Sequence, residues 1–349
     1  MKNQNNIKKI AKAEYSKLMA ALSAGMDVYL PVVGNDGQSR FEPWAEGKQL
    51  ANTVNTVRSA KDFFFPQTEN IVGFKLEGKN IEIVDTRDEA RDFVVFGVRA
   101  CDAKSFEILD RVFLADPVDT FYKSRREHGV IVTAACSEAE DTCFCTTFGI
   151  DPAEPCGDVT TWTVGEEIFL RANTEKGEKL LASVASLLAD ATAKDSGAIE
   201  AEKARISKMM AELPLASLNT EKFDGRDLMQ TFKSDKWKDL SATCLGCGTC
   251  TFVCPTCQCY DIREFDTGNG VKRFRCWDSC MYSDFTKMAA ENPRHTQLER
   301  FRQRFMHKLI YFPQNNDGVY GCVGCGRCLA KCPISMNIVK VMRSVGEEK

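Results

Sequence analysis

The sequence has no apolar run long enough to cross a bilayer as a helix, so no membrane span is expected. No G-x-G-x-x-G follows a strand and no P-loop is present, which removes the usual signatures of a dinucleotide or nucleotide site. Histidine is scarce: His128, His295 and His307 are the only three, and they form no motif. No Ser/His/Asp or Cys/His arrangement points to nucleophilic catalysis, and no cysteine pairs at both ends of the chain suggest a nickel–iron centre. No catalytic site of its own is therefore expected. The net charge is only −3, too weak a field to call for nucleic acid or an anionic membrane. The stretch Met1–Leu22 is polar and lysine-bearing, without the apolar core of a signal peptide.

Cysteine is what the chain has in excess, with 17 among 349 residues. Without an export signal these read as reduced thiols or metal ligands rather than disulfides. The expected compartment is the cytoplasm, in an anaerobic setting that would spare exposed metal clusters. The length suffices for two domains, and 44% hydrophobic content suits a folded globular protein.

Eight of the cysteines fall into two near copies of one run. The first is Cys244-Leu-Gly-Cys247-Gly-Thr-Cys250-Thr-Phe-Val-Cys254-Pro255, and the second is Cys322-Val-Gly-Cys325-Gly-Arg-Cys328-Leu-Ala-Lys-Cys332-Pro333. Both read C-x2-C-x2-C-x3-C-P, the bacterial ferredoxin run. Two intervening residues let the backbone curl so that successive sulfurs face one small centre. The glycines permit the tight or left-handed conformations this needs. In two-cluster ferredoxins the fourth cysteine of each run serves the other cluster. Cys244, Cys247, Cys250 and Cys332 are thus assigned to one [4Fe–4S] cluster, and Cys322, Cys325, Cys328 and Cys254 to a second. Separated C-x2-C pairs of the zinc-ribbon type do not describe this spacing.

Patterning predicts an α/β domain over 1–170, a helical bridge over 171–240 and a mainly helical two-cluster ferredoxin domain over 241–349. Lys8–Ser23 reads as a helix. Asp27–Val33, Ile71–Leu76, Ile81–Ile83, Asp92–Val98 and Val130–Ala135 read as strands, with a helix over Asp102–Phe113 completing a parallel β-α-β unit. Glu175–Leu188, Ile199–Leu213, Leu298–Phe312 and Ile334–Val345 read as amphipathic helices. Leu298–Phe312 is basic and is expected to pack inside the ferredoxin domain.

Four more cysteines belong to the α/β domain. Cys101 opens a helix after one strand, Cys136 follows the next, and Cys143 and Cys145 lie in the loop beyond. The carboxyl ends of parallel strands share one edge, where open α/β sheets bind ligands. A third [4Fe–4S] cluster is expected on Cys101, Cys136, Cys143 and Cys145, with Asp102 as a fallback oxygen ligand; the alternative is that these four are buried core cysteines. Cys156 could join this site, but Pro155 and Gly157 on either side suggest an ordinary turn. Cys257, Cys259, Cys276 and Cys280 leave two readings open: a further metal site, or a lining of the cluster pockets.

These motifs together carry a family likeness. Phe96-Gly-Val-Arg-Ala-Cys-Asp102, Ala135-Cys136, Cys143-Phe-Cys145, Cys254-Pro-Thr-Cys-Gln-Cys-Tyr-Asp261, Trp277-Asp-Ser-Cys280 and His307-Lys308, with both ferredoxin runs, resemble one group of iron–sulfur proteins. The group comprises the iron–sulfur component of anaerobic sulfite reductase, the beta subunit of sulfhydrogenases, and the flavin-oxidoreductase component of heterodisulfide reductase complexes. The resemblance covers roughly residues 90–349, and Cys276 lies outside its pattern. It implies electron transfer within a multi-subunit NAD(P)H-linked complex. It implies a partner subunit carrying FAD and NAD(P)H, often with a [2Fe–2S] cluster, and a terminal reductase or hydrogenase subunit. The alternative is a subunit that itself binds flavin and contacts substrate at the sheet edge near Cys101.

Overall fold

A computed structural model describes residues 6–48, 50, 51, 53–85, 87, 90–223 and 228–346. Twelve strands make two sheets among these residues. The larger sheet holds β1 (Ile7–Ala11), β2 (Asp27–Val33), β3 (Ser39–Pro43), β6 (Phe93–Val98), β7 (Gly129–Ala134), β8 (Val159–Val164), β9 (Glu167–Ala172) and β10 (Ala189–Asp190). Their order is β10-β1-β9-β8-β7-β6-β2-β3. The central strands β2, β6, β7 and β8 are mutually parallel. Every residue of β6, Phe-Val-Val-Phe-Gly-Val, is buried, as a parallel strand covered on both faces requires. The helices Ala100–Phe113 and Thr120–His128 form the crossover between β6 and β7.

The smaller sheet is antiparallel and joins distant parts of the chain. Its order is β11 (Tyr260–Asp266), β12 (Gly270–Trp277), β4 (Thr68–Glu77) and β5 (Asn80–Asp85). β12 pairs with β4 across almost two hundred residues of sequence. Buried Arg275 on β12 pairs with Glu69 on β4 and with Asp119, which caps the Thr120–His128 helix. The ribbon is thereby fastened to the α/β layer. Trp277 stacks on Phe65 with ring centroids 5.9 Å apart and donates from Nε1 to the Phe65 carbonyl.

Helices around the ferredoxin runs build a separate apolar cluster. Trp237, Phe301, Phe305, Leu309, Ile338, Val341 and Met342 are buried there, together with Phe144 from the α/β part. The Leu298–Phe312 stripe packs inside this cluster. It is helical over Gln297–Met306 and widens to a π-turn at His307–Tyr311. Such turns tend to mark functional positions in helices.

Three expectations need correction in detail. Lys8–Ala11 is not helical: it is β1, hydrogen-bonded to β9 and β10, and the helix begins only at Tyr15. The pull of a ready strand partner outweighs local helical spacing, which a short segment expresses only weakly. The C-terminal region is also less helical than expected, because residues 260–277 form the β11–β12 ribbon. The α/β sheet itself extends past residue 170, through β9 and β10.

Candidate metal centres

The two ferredoxin runs fold alike. Gly248 (φ 73°) and Gly326 (φ 77°) hold the left-handed conformation at matching places, and each leads into a one-turn helix, Thr249–Phe252 or Arg327–Ala330. That conformation disfavours any side chain. Space is also short: a Cβ on Gly326 would lie 2.6 Å from the Thr142 carbonyl oxygen. The resulting curl turns the first three thiols of each run toward one void. Cys244, Cys247, Cys250 and Cys332 line the first void. Cys254, Cys322, Cys325 and Cys328 line the second. The fourth cysteine of each run therefore lies among the first three of the other.

A third void forms at the carboxyl edge of the parallel strands. It is lined by Cys101, in the first turn of the helix after β6, by Cys136, just past β7, and by Cys143 and Cys145 from the following loop. Cys325 lines this void as well as the second. The two loops meet directly: the Phe144 amide donates to the Gly324 carbonyl at 3.0 Å. Asn55 Nδ2 donates to the Cys325 carbonyl at 3.2 Å. Near Cys101 and Cys325, buried Arg327 holds buried Asp102 in a two-point pair at 2.5 and 2.8 Å. Asp102 is thus committed to Arg327 instead of standing free as an oxygen ligand.

A tetrahedral zinc site, with Zn–S near 2.3 Å, would draw its sulfurs to within about 3.8 Å of one another. Among the described residues, no group of three or more His, Cys, Asp or Glu side chains is placed to hold a metal ion. Four thiols set around a void suit a cage in which each sulfur meets its own iron. Arg304 adds a second sign of fit. It is buried, it lines both the first and second voids, and its Nε has no hydrogen-bond partner among the described residues. A buried guanidinium N–H wants an acceptor, and sulfur of a cluster would be one.

The electrostatics agree. Burial pushes the Cys143 and Cys250 thiols up to about 11 and Cys145 and Cys322 up to about 12. Burial raises Cys101 and Cys325 further. Metal ligation requires thiolates, so filling such sites releases protons and needs positive charge nearby. Arg304, Arg327 and Lys308 supply it. Burial opposes charge on Lys308, but Cys254, Cys257 and Cys322 around it prevail and raise its pKa. Lys308 lies in the π-turn and donates to Thr256 Oγ1 (2.7 Å) and to the Gly321 carbonyl (2.9 Å).

The remaining thiols separate. Cys257 donates to Cys254, which lowers Cys254 and raises Cys257. Cys259 and Cys280 are within hydrogen-bonding distance of each other. Cys276 stands opposite Asp261 on the ribbon, and exposed Cys156 lies by Glu107, outside the third void. Sequence reasoning missed Lys61. This fully buried lysine donates to the Cys257 carbonyl at 2.9 Å and sits 3.5 Å from the Trp277 ring centroid. Burial lowers its pKa to about 8. It also missed Arg304 and Arg327, whose signal was present: cations spaced one turn apart in Arg304 and Lys308, and an arginine inside a cysteine run.

Comparison with known proteins agrees with this geometry. Residues 243–336 match the 4Fe-4S dicluster domain family. The sulfhydrogenase 2 subunit beta of Pyrococcus furiosus is 33% identical over 324 residues, covering 92% of each chain. No solved structure matches. The chain belongs to the sulfhydrogenase beta-subunit family and is an iron–sulfur electron-transfer protein.

Proposed function

We propose that the chain relays electrons through three [4Fe–4S] clusters within a multi-subunit, NAD(P)H-linked redox complex of an anaerobic cytoplasm. Cys244, Cys247, Cys250 and Cys332 hold the first cluster, and Cys322, Cys325, Cys328 and Cys254 the second. Cys101, Cys136, Cys143 and Cys145 hold the third. A partner subunit carrying FAD exchanges electrons with NAD(P)H, and a terminal reductase or hydrogenase subunit stands at the other end. The chain divides accordingly into an α/β part that runs on through β10 (Ala189–Asp190), a helical bridge over the remainder of 171–240 and a ferredoxin-like part (241–349).

The observation that carries this reading is the row of voids. Arg304 is common to the first and second, and Cys325 to the second and third. A [4Fe–4S] cluster supplies one-electron storage over a wide range of potential. The protein's own residues do the rest. The cysteines fix position, the glycine turns bring backbone against the thiols, and Arg304, Lys308 and Arg327 balance buried negative charge. The Arg327–Asp102 pair keeps that charge fixed near Cys101 and Cys325, so its field acts without reorganisation. Burial keeps most of the thiols away from bulk water and oxidants.

The test is removal of one site at a time in anaerobically isolated protein. Cys247→Ser should remove the signal of one cluster from the low-temperature electron paramagnetic resonance spectrum of reduced protein, leaving the others. An unchanged spectrum and iron content would oppose the assignment.

A further inference from the structure

Cys257, Cys259 and Cys280 are absent from the linings of all three voids. Their arrangement differs in kind from that of the cage thiols. Cage thiols stand around a space; Cys259 and Cys280 are brought together at the base of a ribbon, within hydrogen-bonding reach of each other. The β11–β12 ribbon brings them together. Cys259 immediately precedes β11, Cys280 follows β12, and the register Tyr260↔Trp277 aligns the two ends. The Asp278 amide donates to the Cys259 carbonyl at 2.9 Å and closes the base of the ribbon. Each of the two residues keeps partial solvent exposure.

The pair also faces a route to the second void. Cys257 is close enough for its charge to be felt at both Cys259 and Cys280, and its own thiol donates to Cys254. Cys254 lines the second void. The charged groups facing these sulfurs are Lys308 and Arg304, with Lys61 beyond Cys257. Four sulfurs thus lie near one another between a cluster site and a largely buried thiol pair that keeps some solvent exposure, under positive charge.

We propose that Cys259 and Cys280 are a redox-active dithiol that stores two electrons beside the cluster relay. This rests on the iron–sulfur reading of the first two voids. On oxidation the two S–H bonds break and one S–S bond forms. The two protons pass to solvent water. Of the two electrons, a [4Fe–4S] cluster held by Cys254 with Cys322, Cys325 and Cys328 would accept one, and a cluster in the first void would accept the other, so that the dithiol's two electrons are balanced by two one-electron acceptors. The reverse reaction takes up two electrons and two protons. Such a couple lets a one-electron relay meet a two-electron donor or acceptor.

The experiment uses whole, anaerobically purified, iron-loaded protein. Samples poised reduced and oxidised are quenched with iodoacetamide, digested and analysed by mass spectrometry, with iron measured in parallel. The dithiol predicts alkylated Cys259 and Cys280 in the reduced sample and a linked Cys259–Cys280 peptide in the oxidised one. Cys259→Ser and Cys280→Ser should each abolish the linked peptide and lower by two the electrons taken up in reductive titration, with iron unchanged. Cys276→Ser, a nearby thiol outside this group, should leave both readouts unaltered. Full alkylation of both thiols in oxidised protein with intact iron would overturn the dithiol alone. So would loss of iron on Cys280→Ser, which would make that residue a cluster ligand. Iron-free native protein would instead remove the electron acceptor and, with it, the cluster reading.

Discussion

The α/β part and the ferredoxin part arrive at the same arrangement, four thiols around a void, by different means. In the ferredoxin part three of four thiols come from one twelve-residue run, and the turns between them are built into the glycines. In the α/β part the thiols come from a helix start, a strand end and a loop, and only the parallel strand order of β6 and β7 brings them to one edge. The first kind of site is local and belongs to a segment. The second exists only when the whole sheet is assembled. Cys325 and the Arg327–Asp102 pair join the two, so damage there should be felt on both sides.

The largest effect is expected where the two regions share a residue. Cys325→Ala should remove at least one cluster, about four irons, and disturb the spectrum of another, with electron flow through the complex falling by orders of magnitude. Binding to partner subunits should persist. Confinement of the spectral change to one cluster would mean that the sites are independent. Next, Cys101→Ser combined with Cys145→Ser should lower iron by about four per chain while the dicluster signals remain. If iron stays constant, the α/β thiols are core residues, for which buried cysteine is well suited.

Asp102→Asn tests the seam as a matter of stability. It strands a buried guanidinium, a change that typically costs about 3–5 kcal/mol. Thermal unfolding followed by circular dichroism should drop accordingly, and Arg327→Met combined with Asp102→Leu should recover part of the loss. A variant as stable as the parent would show that the pair is not buried as described. The smallest effect separates two glycines. Gly326→Ala meets both a left-handed backbone and the Thr142 carbonyl, whereas Gly246→Ala, at φ 65°, has nothing nearer than 3.9 Å. The second should cost about 1–2 kcal/mol for backbone strain alone, and the first distinctly more, read as denaturation midpoints. Equal costs would contradict the close contact at Gly326.

This contrast also explains what could be read from the chain beforehand. The ferredoxin runs announce themselves because spacing, glycine and proline are short-range features. The α/β thiols were legible one step further, because continuous apolar runs at Asp92–Val98 and Val130–Ala135 imply parallel strands, and parallel strands imply a shared edge. The β11–β12 ribbon was not legible. Its partner β4 lies almost two hundred residues away, and β11, exposed along nearly its whole length, carries no alternating signal of burial. Lys61 is hidden for the same reason. Its surroundings, Trp277 and Cys257, come from the far side of the chain, and nothing beside it in Ala60 or Asp62 marks a lysine for burial. β1 was misread because its pairing partner, β9, follows only after residue 166.

Quantitative iron and acid-labile sulfide analysis of the anaerobically purified chain, read together with Mössbauer spectra, tests the central claim most directly. Twelve thiols around three voids should yield about twelve irons and twelve sulfides per chain, all in [4Fe–4S] form. A chain with zinc in place of iron, or one holding no more than a single cluster, would contradict it.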